Sequence, residues 1–403
     1  MRALRTTHPL DRNVYLLNLL TFLDNALFVI PIIVVYYAAH KSVGFTGFLI
    51  GEAAFALVMV VMEVPSGYLS DIWRRKSVLW LAMAWQVVGY ALLWLGDGLV
   101  MMVAAQSIIG IGVSLYSGTN TAMLYDGLLE RGKAATFSKY TGQHQMYGMI
   151  GATGAALVGG FAYALQPDLP AMLTVIVMVI ATAATWFLTE PSRHKQEVQK
   201  NPIADMVSVM KYTLHGHKEV ACLILFMTSV FVTTNLMFWL NQRYWMDANI
   251  SEAWFGVLMA IGTAVNAVGA GFAHRLENRL TFMHMIFIIA ALPFMAYGLA
   301  IALPHWAGVG ALFLGGLAWG MGSPLMATAV NKRVESHRRA TILSVKSLVH
   351  RLVFLPLSLL AGPLADGYGA KAAMFALLLF MATGVALSFI CMARHHMFKP
   401  KDT

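Results

Sequence analysis

Gly67-Tyr68-Leu69-Ser70-Asp71-Ile72-Trp73-Arg74-Arg75-Lys76 lies between two apolar runs, each long enough to cross a bilayer. Three adjacent cations and an aspartate cannot rest in hydrocarbon, so the stretch marks a turn at a membrane face, and its surplus of Arg and Lys assigns that face to the cytoplasm. Composition carries the same message for the whole chain. With 59% hydrophobic and 12% charged residues, against about 45–50% and 25% in soluble domains, there is too little polar surface for water. Closed barrels require short alternating strands, and these long apolar runs do not alternate. A bundle of membrane helices is the reading that remains.

Apolar spans fall at roughly 14–39, 45–69, 77–95, 99–124, 138–163, 170–189, 220–242, 253–273, 281–300, 305–330, 342–364 and 372–392, which predicts twelve crossings. Met1 to Arg12 is basic, but the apolar run after it has no small-residue cleavage site and reads as a retained helix. With the N-terminus inside, all of the 28 Lys and Arg residues fall in cytoplasmic segments except Lys41, Arg243 and Lys371 on the far face and Arg351 within a span. Reversing the topology would invert this bias at every loop. Both termini are therefore expected in the cytoplasm. Insertion and anionic lipid account for the net charge of +9 without nucleic acid. Cys222 and Cys391 are the two cysteines, both in apolar context, and are expected to be packing residues rather than a disulfide framework or metal site.

Glu190 to Glu219 is the longest polar stretch, holding Pro191, Pro202 and a mildly amphipathic piece from Ile203 to Tyr212. It separates two halves of six spans, expected as 1–190 and 220–403 with a cytoplasmic linker at 191–219. A faint internal repeat supports the division. Gly67, Tyr68 and Arg75 recur as Gly271, Phe272 and Arg279, while Glu130, Ala135 and Thr136 recur as Glu335, Ala340 and Thr341.

The spacing of Gly67, Asp71, Arg75 and Lys76 resembles the loop between helices 2 and 3 of the major facilitator superfamily, with Ile72 and Arg74 departing from its usual cation and glycine. The resemblance covers the whole chain. It implies an all-α polytopic fold of twelve transmembrane helices in two pseudo-symmetric six-helix bundles, related by an axis along the membrane normal. It also implies that Asp71 sits against the positive end of helix 11 near Arg75, latching one state from the cytoplasmic side. Drug antiporters of the superfamily often carry an arginine in helix 4, but Gln106 stands at that place here. Their helix 5 motif is partly kept as Gly159 and Gly160, with Gly148, Gly151 and Gly154 upstream and no proline. Small residues at these spacings are more often ordinary helix packing than a hinge. Ser117 to Asp126 and Arg339 to Ser344 look like the multidrug and small-metabolite branches.

Function is sought where ionisable groups enter the bilayer, because each costs about 2.5–3.5 kcal/mol on insertion scales and needs a partner, water or a role. Those groups are Asp24, Glu52, Glu63, His144, His284, His350 and Arg351. From the cytoplasmic ends, Glu63 lies at about 9 Å, Arg351 at about 13 Å, Asp24 at about 16 Å and Glu52 at about 25 Å. Arg351 is thus expected to pair with Glu63 or Asp24 across the meeting of the two halves. Such a pair is either a tolerated structural contact or a proton-coupling switch, in which protonating the carboxylate releases the pair. Glu52 is a candidate for separate proton entry.

Helices that line the family cavity carry Asn25, Phe28, Tyr116, Asn120, His144, Tyr147, Asn235, Phe238, Trp239, Asn266 and Trp319. Aromatic walls with scattered amides suit an amphipathic organic molecule, cationic if Asp24 stays exposed. The 26 methionines invite a copper reading, but Met206 and Met210 fall in the linker, and Met283 and Met285 flank His284 with neighbouring side chains on different faces. No metal or cofactor is expected. Neither clustered nucleophiles nor a phosphate-binding glycine loop occurs, which argues against an enzyme and against direct ATP coupling. The expectation is a monomeric secondary transporter of the cytoplasmic (inner) membrane, taking a small-molecule substrate in contact with lipid. Proton-coupled efflux of drugs or metabolites leads, with import or siderophore and nutrient transport on the same fold as the alternative.

Overall fold

A computed structural model describes residues 8–192, 217–334 and 339–397. The interior of the expected linker, the amphipathic piece from Ile203 to Tyr212, the Met206/Met210 pair and Glu335 of the repeat lie outside the described residues. Among those described, the long elements are helices: α1 (Pro9–Asn25), α2 (Ile33–His40), α3 (Phe45–Ile72), α4 (Arg75–Leu95), α5 (Gly98–Glu130), α6 (Phe137–Leu165), α7 (Leu169–Thr185), α8 (Lys218–Asp247), α9 (Phe255–Arg279), α10 (Phe282–Ala302), α11 (His305–Asn331), α12 (Arg339–Tyr368) and α13 (Ala370–Arg394). Taking α1 and α2 as one broken span, eleven are long and apolar enough to cross a membrane, and α7 is a shorter apolar helix.

Helices form because every backbone N–H and C=O in hydrocarbon must find a partner within its own segment. Many of these helices are apolar on their outer sides too, with Val61, Leu95, Val100 and Leu165 exposed, as expected where lipid rather than water is the neighbour.

The chain divides into two compact units. One comprises Met1–Val43, Ile50–Lys200 and Glu252–Ala260; the other comprises Gly44–Leu49, Asn201–Ser251 and Ile261–Thr403. In the first, α1, α4 and α5 enclose a core of Leu17, Leu20, Val78, Ala82, Met83, Leu115 and Met123. Glycines bring backbones together there, because a Cβ on Gly112 would stand 2.7 Å from the Ala82 carbonyl oxygen and from the Gln86 side chain. Gly151 and Gly159 of α6 abut the carbonyl oxygens of Phe22 and Phe28 in the same manner, which is the close-packing role small residues play between membrane helices.

In the second unit α8 is the central element, with 83% of its most apolar window inside the protein against 17% for α9. Its core joins Phe226, Val230, Ile286, Ile289, Met326 and Met381. The sulfurs of Cys222 on α8 and Cys391 on α13 are bonded. This corrects the expectation of two packing thiols: separated by 169 residues in sequence, they meet because α8 and α13 pack side by side. His395, one turn after Cys391, also approaches the two sulfurs.

Candidate functional site

Pro31 lies in the part of the first span where the helix is interrupted. It has no N–H to donate, and its ring crowds the carbonyl four residues earlier, which weakens the hydrogen-bond ladder there. The helix stops at Asn25 and resumes through a 3-10 turn at Ile30–Ile32. Groups released by the break are satisfied locally. The Ala26 N–H donates to the Leu23 carbonyl at 3.0 Å and Asn25 Nδ2 to the Thr21 carbonyl at 2.9 Å. Thr174 Oγ1 of α7 accepts from the Val29 N–H at 3.2 Å. Irregular backbone within a span is tolerated where protein surrounds it or where it lines a cavity.

Asp24 is the penultimate residue before this break. Its Oδ1 accepts from Gln86 Nε2 of α4 at 2.9 Å. Beside it, Asn120 Nδ2 donates to the Tyr116 hydroxyl at 3.0 Å and to Thr21 Oγ1 at 3.2 Å, and the two hydroxyls are 3.2 Å apart. The expected common face of Tyr116 and Asn120 is thus present, and α1 supplies its third member. His144 lies one turn before Gly148 on α6, the residue that meets Thr21 and Asn25. Asn120 Oδ1 and His144 Nε2 are buried with no protein hydrogen-bond partner among the described residues, which fits groups that receive a ligand or water. Phe28 is half-buried and Tyr147 exposed.

Glu52 of α3 accepts from Gln106 Nε2 of α5. The amide standing at the antiporter arginine's place therefore holds a carboxylate. Glu63 is half-buried one turn before Gly67, and its backbone carbonyl accepts from Ser66 Oγ at 3.3 Å.

In the second unit, Asn235, Phe238 and Trp239 lie on α8. The Trp239 ring meets Phe238 at 4.8 Å and Phe48 at 5.1 Å, both edge to face. The Asn266 carbonyl of α9 is pressed against Gly320 of α11. Trp319 stands edge to face with Phe231 at 5.2 Å. These two rings wall a cavity of about 200 Å³ whose other lining residues are Ser323, Lys346, Ser347, His350 and Arg351. Arg351 therefore shares its surroundings with two further basic side chains. His284 Nδ1 is 2.6 Å from Thr281 Oγ1 at the start of α10, an ordinary helix-end contact.

The junction of α3 and α4 is tied down by two carboxylates from elsewhere in the first unit. Glu190 accepts from the backbone N–H groups of Arg75 and Lys76 through separate oxygens, both at 2.8 Å, and so caps α4. Arg75 Nη2 pairs with Asp126 at 2.9 Å, both side chains being mostly buried. Lys76 Nζ donates to the Trp186 carbonyl at 2.7 Å. Asp71 is exposed, and a Cβ on Gly67 would meet nothing within 4 Å.

A model of the Major Facilitator Superfamily matches residues 14–355. The chain belongs to that superfamily. It is similar to solved structures of a variant of the nucleoside transporter NupG (TM-score 0.81, 15% identity, covering 96% of this chain and 100% of that one). It also resembles a bacterial homologue of the human lysosomal transporter Spinster (0.74, 15%, 99% and 100%) and a D-xylose-proton symporter (0.72, 15%, 96% and 97%). At such identity the likeness establishes the fold. No curated protein sequence matches. The superfamily chain is thus a multi-pass membrane transporter.

Sequence reasoning did not find Gln86, Asp126, Glu190 or Lys346. Gln86 had a signal, a lone amide within the apolar run from Leu79 to Leu95. Lys346 had none, because it was counted among the cytoplasmic cations flanking its span.

Proposed function

We propose that this superfamily member couples the movement of a small amphipathic organic molecule to protons, with Asp24 as the coupling group. The observation that carries the reading is the carboxylate of Asp24, set where the first span unwinds and held by an uncharged amide, Gln86. A carboxylate with a neutral partner can gain or lose a proton without stranding a buried cation, and the adjoining break gives the helix a place to flex. Glu52, held by Gln106, is a second proton site toward the other face. In the same reading Glu63 and Arg351 belong to the proton-coupling groups, and Gly67, Asp71, Arg75 and Lys76 form the latch, with Asp126 and Glu190 bracing it. In the first unit Asn25, Phe28, Tyr116, Asn120, His144 and Tyr147 are the candidate contacts for the molecule, and in the second unit Asn235, Phe238, Trp239, Asn266 and Trp319 are. The transporter works as a monomer in the cytoplasmic membrane with both termini inside, and its direction is export.

Proteoliposomes with an imposed pH gradient and an internal pH dye test this against a panel of amphipathic compounds. At least one compound should dissipate the gradient in wild type, and Asp24→Asn should abolish that response with protein incorporation unchanged. Antiport and symport give opposite signs of dye response, so an importer is recognised in the same experiment. An Asp24→Asn protein that moves protons as wild type does sinks the coupling reading.

A further inference from the structure

We propose that Cys222, Cys391 and His395 form a redox-gated zinc site in the second unit, shut while the two sulfurs are bonded to each other and able to take the ion once they are reduced. The inference is independent of the transport reading.

Cys391 and His395 are four residues apart at the end of α13, where the His395 N–H donates to the Cys391 carbonyl at 3.2 Å, so the two lie on one side of the helix. Cys222 comes from the start of α8, which packs beside α13. The two sulfurs and one ring nitrogen of His395 lie within 4.8 Å of one another. Two thiolates on a tetrahedral zinc ion stand about 3.8 Å apart, given Zn–S bonds of about 2.3 Å, and an imidazole nitrogen sits about 2.0–2.1 Å from the metal. Three donors gathered this closely need side-chain rotation, not movement of a helix, to share one ion.

The donor set selects the metal. Thiolate with imidazole suits zinc or copper(I), whereas calcium and magnesium want oxygen. Two thiolates leave a zinc(II) site neutral, while copper(I) would leave a net negative charge beside Cys222, which is wholly buried. The free carbonyl groups at the end of α13 favour a cation there as well. Bonded to each other, the sulfurs are not thiolates and do not hold the ion. A dithiol opens the pair with two electrons: one of its thiolates attacks a sulfur, its second releases the mixed disulfide, and the reductant leaves as its own disulfide. The two protein thiols then give up their protons as they bind zinc. His395 also lines a cavity of about 510 Å³ with Lys218, Glu219, Lys332 and Arg333, from which reductant, ion and a fourth, water ligand approach. Arg333 is matched there by Glu219 at 3.0 Å, and Lys332 by Glu277 at 2.8 Å.

The test uses the full-length protein in detergent, whose two cysteines make a thiol count a direct report of its state. One sample is left oxidised; the other is reduced with dithiothreitol and freed of it by anaerobic gel filtration. Both are loaded with zinc chloride, filtered again and assayed for metal. Reduced wild type should retain one zinc ion per chain and oxidised wild type none. Cobalt(II) in place of zinc should give a thiolate-to-metal charge-transfer band in the reduced sample alone, a signature that surface histidines do not produce. Reduced Cys222→Ser should lose retention. Reduced His395→Ala should bind zinc at least about tenfold more weakly, since even groups behind a ligand are worth that much. The comparison of the two wild-type samples decides the matter even if a variant fails to fold. Equal retention in both states, no retention in the reduced state, or a native disulfide that dithiothreitol leaves closed overturns the proposal. Unchanged affinity in a folded His395→Ala protein overturns the three-ligand site.

Discussion

Gln106 and Gln86 do the same job at two depths: each gives a membrane carboxylate a neutral donor, Glu52 in one case and Asp24 in the other. An amide neutralises nothing, so the acid it holds stays free to titrate. Removing the donor leaves a buried oxygen without its partner, which costs roughly 1–3 kcal/mol. Gln106→Leu should accordingly lower the thermal unfolding midpoint in detergent, and Glu52→Leu combined with Gln106→Leu should recover most of the loss. A double variant as unstable as the sum of its parts would show that the two residues do not act as a pair. The acids were legible in the sequence because charge in an apolar run is conspicuous. Their partners were not, because which amide faces which acid depends on helix rotation, and a sequence without packing does not fix that rotation. Arg351 illustrates the same limit, since its depth was readable while its neighbours Lys346 and His350 came together through the winding of α12.

Among the elements, α4 shows how a loop motif and a helix depend on each other. Its start carries Arg75 and Lys76, two cations at the positive end of the helix, an unfavourable arrangement that Glu190 offsets by accepting both N–H groups. Glu190→Ala should destabilise the protein by roughly 0.5–2 kcal/mol, the usual range for a lost cap, measured by thermal unfolding. Asp126→Asn should weaken the hold on Arg75 without touching the cap, and adding it to Glu190→Ala should further lower stability. Farther along, Gly112 of α5 leaves room for the Ala82 carbonyl and the Gln86 side chain. Gly112→Leu should therefore cost roughly 1–3 kcal/mol through overpacking and, by displacing Gln86, blunt the response assigned to Asp24. Normal proton movement in that variant would separate Gln86 from function. Hydropathy located every long span, yet the first was expected unbroken across 14–39. Pro31 lies in the interrupted stretch, but Pro65, Pro293 and Pro324 lie inside unbroken helices, so a proline by itself does not tell a break from a continuous span.

For the whole molecule, the helical class and the count of apolar segments followed from composition and hydropathy, because bilayer thickness acts on sequence directly, while the family followed from the resemblance carried by Gly67, Asp71, Arg75 and Lys76. Long-range pairing did not follow in the same way. Cys222 and Cys391 gave no hint of each other, being 169 residues apart with four long helices between theirs among the described residues. Their bond makes the stretch between them a covalent ring. A protease that cuts once inside it, for instance after Lys332 or Arg333, should yield pieces that migrate together on a denaturing gel run without thiol and part when dithiothreitol is added. Cys222→Ser should give separable fragments in both lanes. Pieces of wild type that part without reductant would mean the ring is open. Closed, it would let the C-terminal half survive a nick as a single covalent body.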